Sequence, residues 1–107
     1  MAEHKDPVDA CIGFEWDEAN ANKNRERHRV APEEAEGVFF NEPLVVGSDI
    51  RHSNQEKRYY ALGQTNIGQY RFLAFTIRGS QLRVNSVRDM NRKERDAYDN
   101  YEEEAGA

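Results

Sequence analysis

The chain has 107 residues, 37% hydrophobic and 33% charged, with a formal net charge of −5 and a single cysteine, Cys11. That length fits one domain with a modest core. The lone cysteine excludes an internal disulfide framework and a multi-cysteine zinc site, and no apolar run approaches the length needed to span a membrane.

The charge is unevenly placed. Residues 1–13 carry a net −2, residues 14–50 a net −5, residues 51–95 a net +7 and residues 96–107 a net −5. The third segment can draw in a polyanion, either RNA or an acidic protein; equally, basic and acidic segments can pair within the fold. "MAEHKDPVDACIG" has no apolar signal core, so a cytoplasmic location is expected.

Residues 1–13 read as a loose tail. "CIGFEW" is a short apolar stretch with the composition of a strand. Asp17 is of N-cap type, and "DEANANKNRERH" predicts a polar helix in which Asn20, Asn24 and His28 share one stripe. "VAPEEAEGVFF" predicts a second helix, with Pro32 at its first position and Ala35, Val38 and Phe39 as its apolar face. "PLVVGS", "RYYALGQ", "QYRFLAFTIR" and "QLRVNSVR" predict four strands, with turns at "TNIG" and "GS". On the last strand strict alternation points Leu82, Val84, Ser86 and Arg88 one way, and Arg83, Asn85 and Val87 the other. Asn91 caps a final helix, with Glu94 three residues on as in a capping box. The expected fold is α+β: two helices, a four-stranded antiparallel meander, then a helix. Trp16, Phe39, Phe40, Phe72 and Phe75 are assigned to the core.

"FEWDEANANKNRERHRV", followed by "EEAEGVFF" and closed by "SVRDMNRKERDAY", resembles the BrnT family of toxins from type II toxin–antitoxin systems. The likeness runs from about Phe14 to Tyr101, in several separated blocks. Trp16, Asp17, Asn24, His28, Ser86, Arg88, Glu94 and Tyr98 carry it; Asn20 and Arg29 replace the family's usual lysine and glycine, and Val87 and Met90 replace small residues. The resemblance implies a RelE-like ribonuclease fold, metal-free cleavage of mRNA and growth arrest. It also implies a BrnA-like antitoxin, whose complex with the toxin binds operator DNA. The domain is then residues 14–101, with an acidic tail at 102–107.

Metal-free cleavage uses the adjacent 2′-hydroxyl as nucleophile, so the protein must supply a base, an acid and cations for the phosphorane. Arg88 suits the last task, because guanidinium is always charged and grips phosphate oxygens through paired donors; its alternative is an ion pair with Asp89 or Glu94. His28 titrates near neutrality and suits proton transfer, or simply closes its helix. His52, in a polar loop with Arg51, and Lys57, Arg58, Arg71, Arg78 and Arg83 are candidates to hold backbone phosphates. Arg88 and His28 are thus the catalytic candidates, with Lys57, Arg58, Arg78, Arg83 and His52 as RNA-holding residues. Tyr59, Tyr60 and Tyr70 either stack on bases or pair across strands. No cofactor is expected, and His4, His28 and His52 are too scattered to suggest a metal site. A rival reading is a non-catalytic module that acts with an antitoxin in operon autoregulation.

Overall fold

The computed structural model describes residues 6–49 and 56–106. In chain order they form α1 (Asp6–Asp9), β1 (Gly13–Glu15), α2 (Glu18–His28), α3 (Pro32–Val38), β2 (Val45–Ser48), β3 (Arg58–Gln64), β4 (Tyr70–Arg78), β5 (Gln81–Asp89) and α4 (Arg92–Gly106).

The sheet has five strands in the order β1-β5-β4-β3-β2, not the four expected. The meander β2 to β5 is antiparallel as predicted. The addition is β1, which runs parallel to β5 with Phe14 opposite Leu82. A three-residue strand is too short to show alternation, and its partner lies most of the chain away, so no local pattern announces the pairing.

The helix starts obey local chemistry. Asp17 Oδ1 accepts from Ala19 N at 2.8 Å and Asn20 N at 3.3 Å, capping α2. Pro32 opens α3, where its missing N–H and preset φ are harmless. Asn91 and Glu94 form a reciprocal capping box on α4, with Glu94 N donating to Asn91 Oδ1 at 2.8 Å and Asn91 N donating to Glu94 Oε1 at 2.9 Å. Helix α2 is polar nearly all round, with Asn24 its one buried residue. Beyond Glu15 no β1 residue pairs with β5, and there Asn24 Oδ1 accepts from Val87 N at 3.3 Å, holding α2 to the strand.

The main core lies between one sheet face and α3, built from Val30, Ala35, Val38, Phe39, Leu73, Phe75, Leu82, Val84 and Val87. Phe39 meets Phe75 edge-on at 5.4 Å, and Tyr59 stacks on Phe75 at 5.5 Å. A smaller cluster of Leu62, Met90 and Tyr98 forms under α4 on the opposite face.

Two expectations are corrected. Phe40 is not core but 76% exposed; α3 ends at Val38, and consecutive residues point to different sides, so Phe39 alone turns inward. On β5, Leu82, Val84 and Val87 share the core, whereas Ser86 and Arg88 face away from it. Ala74 pairs with Ser86 but Phe75 pairs with Val84, so Asn85 is an extra residue. That bulge reverses the alternation half-way along the strand.

Candidate functional site

The register places four of the candidate cations on the sheet face opposite the main core. Arg58, Thr76, Arg83 and Glu15 lie in one cross-strand row. Tyr60, Ala74 and Ser86 form the next row, and Leu62, Phe72 and Arg88 the third. Arg78 closes β4 beside the first row. Side chains in successive rows are about 7 Å apart along the strands, so Arg58 and Arg83 in the first row and Arg88 in the third are about 14 Å apart in that direction.

Three of the four, Arg78, Arg83 and Arg88, are held by carboxylates from elsewhere in the chain. Arg83 donates to Asp17 Oδ2 at 3.1 Å and lies 3.8 Å from Glu15. Arg78 grips Glu56 through Nε and Nη2 at 2.9 and 3.2 Å. These bonds hold the exposed Glu56 carboxyl below its ordinary pKa, with the Arg78 hydrogen bond as the leading cause. Lys57 lies over the Tyr59 ring, 5.3 Å from its centre.

Arg88 is the most constrained of the set. Its Nη1 and Nη2 donate to the two Glu94 oxygens at 2.8 and 2.9 Å, and Nη1 also donates to Asp89 O. Its guanidinium lies 4.1 Å above the Phe72 ring. The ion pair left open by the sequence is therefore present, and its partner is Glu94. Burial pushes the Glu94 carboxyl upward, but the Arg88 hydrogen bond and the Asn91 N–H outweigh it and leave the group below its usual range. Bidentate anchorage fixes the guanidinium plane and leaves its remaining donors for a phosphate.

His28 lies elsewhere. It is exposed at the C-terminal end of α2 and lines a wide, open cleft of about 1020 Å³ with Arg29, Glu34, Tyr70, Arg71, Asp89, Arg95 and Asp99. Arg71 is buried in that cleft, paired with Asp89 and with Glu34 at 3.4 Å, and donates to Gln69 Oε1 at 2.7 Å. Asp89 and Arg88 are consecutive and face opposite sides of the sheet, so the end of β5 separates His28 from Arg88. Arg29, beside His28, adopts φ +56°, in the left-handed region where glycine is favoured. His52 lies outside the described residues.

Sequence reasoning missed Glu15 and Asp17 as partners of Arg83, Phe72 as the bed for Arg88, and Arg95 and Asp99 as cleft walls. Register and helix docking create these contacts. The capping-box position of Glu94 was the one local clue to its second task. Among the described residues no group of three or more His, Cys, Asp or Glu is placed to hold a metal ion, and no helix is long and apolar enough to cross a membrane.

Fold and site together define a small α+β domain that turns arginines outward from one face of a largely antiparallel sheet. The model of the family described as the ribonuclease toxin, BrnT, of type II toxin–antitoxin systems matches residues 16–94. The chain belongs to that family: it is a BrnT-family ribonuclease toxin, an endoribonuclease whose membership implies an RNA substrate and an antitoxin partner. The 1.1 Å crystal structure of the Brucella abortus ribonuclease toxin BrnT is similar in fold, with a TM-score of 0.56 at 20% identity over 76% of this chain and 99% of that one. No curated protein is similar enough to count as a relative.

Proposed function

We propose that this toxin cleaves messenger RNA without a metal ion, on the arginine-bearing sheet face, with Arg88 at the scissile phosphate. The 2′-oxygen attacks the adjacent phosphorus as its proton passes to a base. The 5′-oxygen leaves with a proton, giving a 2′,3′-cyclic phosphate and a 5′-hydroxyl. Arg88 neutralises the phosphorane, and Arg58, Arg78 and Arg83 hold the flanking phosphates, with Lys57 at the same end of the strands and His52 as a further RNA-holding residue. His28 shares the stripe of α2 that carries Asn24, which bonds to Val87 N beside the end of β5. Across the end of β5 from Arg88, His28 reaches the reacting oxygens for proton transfer only in a complex in which the RNA wraps round that end.

The observation that carries the reading is the state of Arg88: bidentately anchored, stacked on an aromatic ring, and on one face with three further arginines. A rigid cation needs no reorganisation as charge develops. A BrnA-like antitoxin then neutralises the toxin by covering this face in the cytoplasm, and operator DNA is bound only through that complex.

The test is a cleavage assay on a long unstructured RNA in EDTA, with end-group analysis. Wild type is expected to leave 2′,3′-cyclic phosphate ends. Arg88→Ala is expected to lose at least a hundredfold in rate, and His28→Ala about a hundredfold. Cleavage that survives Arg88→Ala would remove this assignment.

A further inference from the structure

Next to Arg88 is a second feature that phosphate binding does not explain. Tyr60, Leu62 and Phe72 on the sheet and Lys93, Glu94 and Ala97 on α4 line a small, mainly apolar hollow of about 270 Å³. The Tyr60 and Phe72 rings are nearly parallel, at 6°, with centres 6.1 Å apart, so each is offset along the other. Gly47 lets this happen: a Cβ there would meet the Tyr60 ring at 2.5 Å, so only a glycine lets the ring lie across β2. The Phe72 face is already taken by Arg88, whereas Tyr60 and Phe72 both stay half-exposed.

Two parallel rings that border an apolar hollow, with Tyr60 half-exposed and Arg88 fixed over its neighbour, make a stacking platform. Its shape admits one planar group, and its walls supply a donor in Lys93 and an acceptor in Glu94. We propose that this hollow takes a nucleobase of the RNA, next to the phosphate held by Arg88, and that Tyr60 is a specificity-determining residue. The proposal rests on the reading of the arginine face as the RNA site. A base seated there lies on the surface that continues from Arg88 along α4, so one nucleotide places both its base and its phosphate. Stacking alone tolerates any base; the Lys93 and Glu94 groups at the rim discriminate among base edges.

The experiment measures binding of short single-stranded RNAs, and of abasic oligomers of the same length and charge, by fluorescence anisotropy. It uses the full chain with 2′-O-methyl oligomers, which lack the nucleophile, so that nothing is cut and Arg88 stays in place. The base-bearing oligomers are expected to bind about tenfold more tightly than the abasic ones. Tyr60→Leu is expected to abolish that ratio by weakening only the base-bearing oligomers, and Tyr60→Phe to preserve it. Ala97→Phe, which fills the hollow from an exposed position on α4 and leaves every sheet residue unchanged, is expected to abolish it as well, and serves if Tyr60→Leu does not fold. A ratio unchanged in Tyr60→Leu or in Ala97→Phe overturns the proposal. The underlying reading fails separately: Arg58→Glu and Arg83→Glu would then leave the binding of both oligomer types unchanged.

Discussion

Glu94 carries two structural tasks at once, and its removal yields a magnitude that can be worked out. In Glu94→Ala the capping box loses the acceptor for Asn91 N, which costs about 1 kcal/mol. The bidentate pair with Arg88 is lost as well. Arg88 keeps 37% of its side-chain surface in water, so solvent screening limits this pair to about 1 kcal/mol. The sum is about 2 kcal/mol, or a fall of roughly 10 °C in Tm for a domain of this size. Glu94→Gln keeps a capping acceptor and loses the charge, so it is expected to fall by about half as much. Thermal unfolding followed by circular dichroism measures both, and a double-mutant cycle with Arg88→Ala isolates the pair. The pH dependence has a definite sign. The folded carboxyl lies below its unfolded value, so its contribution is complete above the unfolded pKa of about 4.3 and disappears as pH falls through the folded value. The gap between wild type and Glu94→Gln is therefore expected to narrow only in that acid range. A coupling energy below about 0.3 kcal/mol, or a gap that widens in acid, would refute the reasoning.

Arg29→Gly relieves a left-handed backbone at +56°. Side-chain strain of about 1–2 kcal/mol, less the entropy of a glycine, gives a gain of about 0.5–1 kcal/mol, measured as a higher urea midpoint at unchanged m. The fully buried Tyr98 hydroxyl donates to Pro43 O at 2.6 Å and accepts from Gln64 Nε2 at 3.2 Å. Tyr98→Phe is expected to cost about 1–3 kcal/mol in the same denaturation assay, by leaving those groups unpaired. Asp17→Ala removes the cap of α2 and a partner of Arg83 together. Stability is expected to fall by about 1 kcal/mol, while RNA binding at low salt, measured by anisotropy, tightens.

What was legible in the sequence was what neighbouring residues decide. Asp17, Pro32 and the Asn91–Glu94 pair announce their helices because a cap is satisfied within three residues. The long strands β3, β4 and β5 show in their apolar content. Three features were hidden for stated reasons. The pairing of β1 with β5 is non-local. The bulge at Asn85 leaves no mark, because "RVNSVR" alternates equally well without it. Phe40 looks like core until the end of α3 is known. The site divides in the same way. Arg88 and its capping-box partner are six residues apart and could be weighed together. The Asp17–Arg83 pair spans 66 residues and could not. Nor does the stripe of Asn24 and His28 disclose which side of β5 it meets.

The carboxylates that engage the sheet arginines make the toxin its own counter-ion atmosphere. A phosphate that reaches Arg78 or Arg83 displaces Glu56 or Asp17 rather than arriving at a bare cation. Part of the exchange is then internal to the protein, so salt should weaken binding less steeply than about 0.7 per phosphate in log–log terms. An isolated phosphate or mononucleotide faces each resident carboxylate one to one and wins little. A polymer presents its phosphates at high effective concentration once the first is seated, so successive exchanges reinforce one another. The acids thus act as a filter on ligand length, admitting RNA chains and turning away the far more numerous small anions around them.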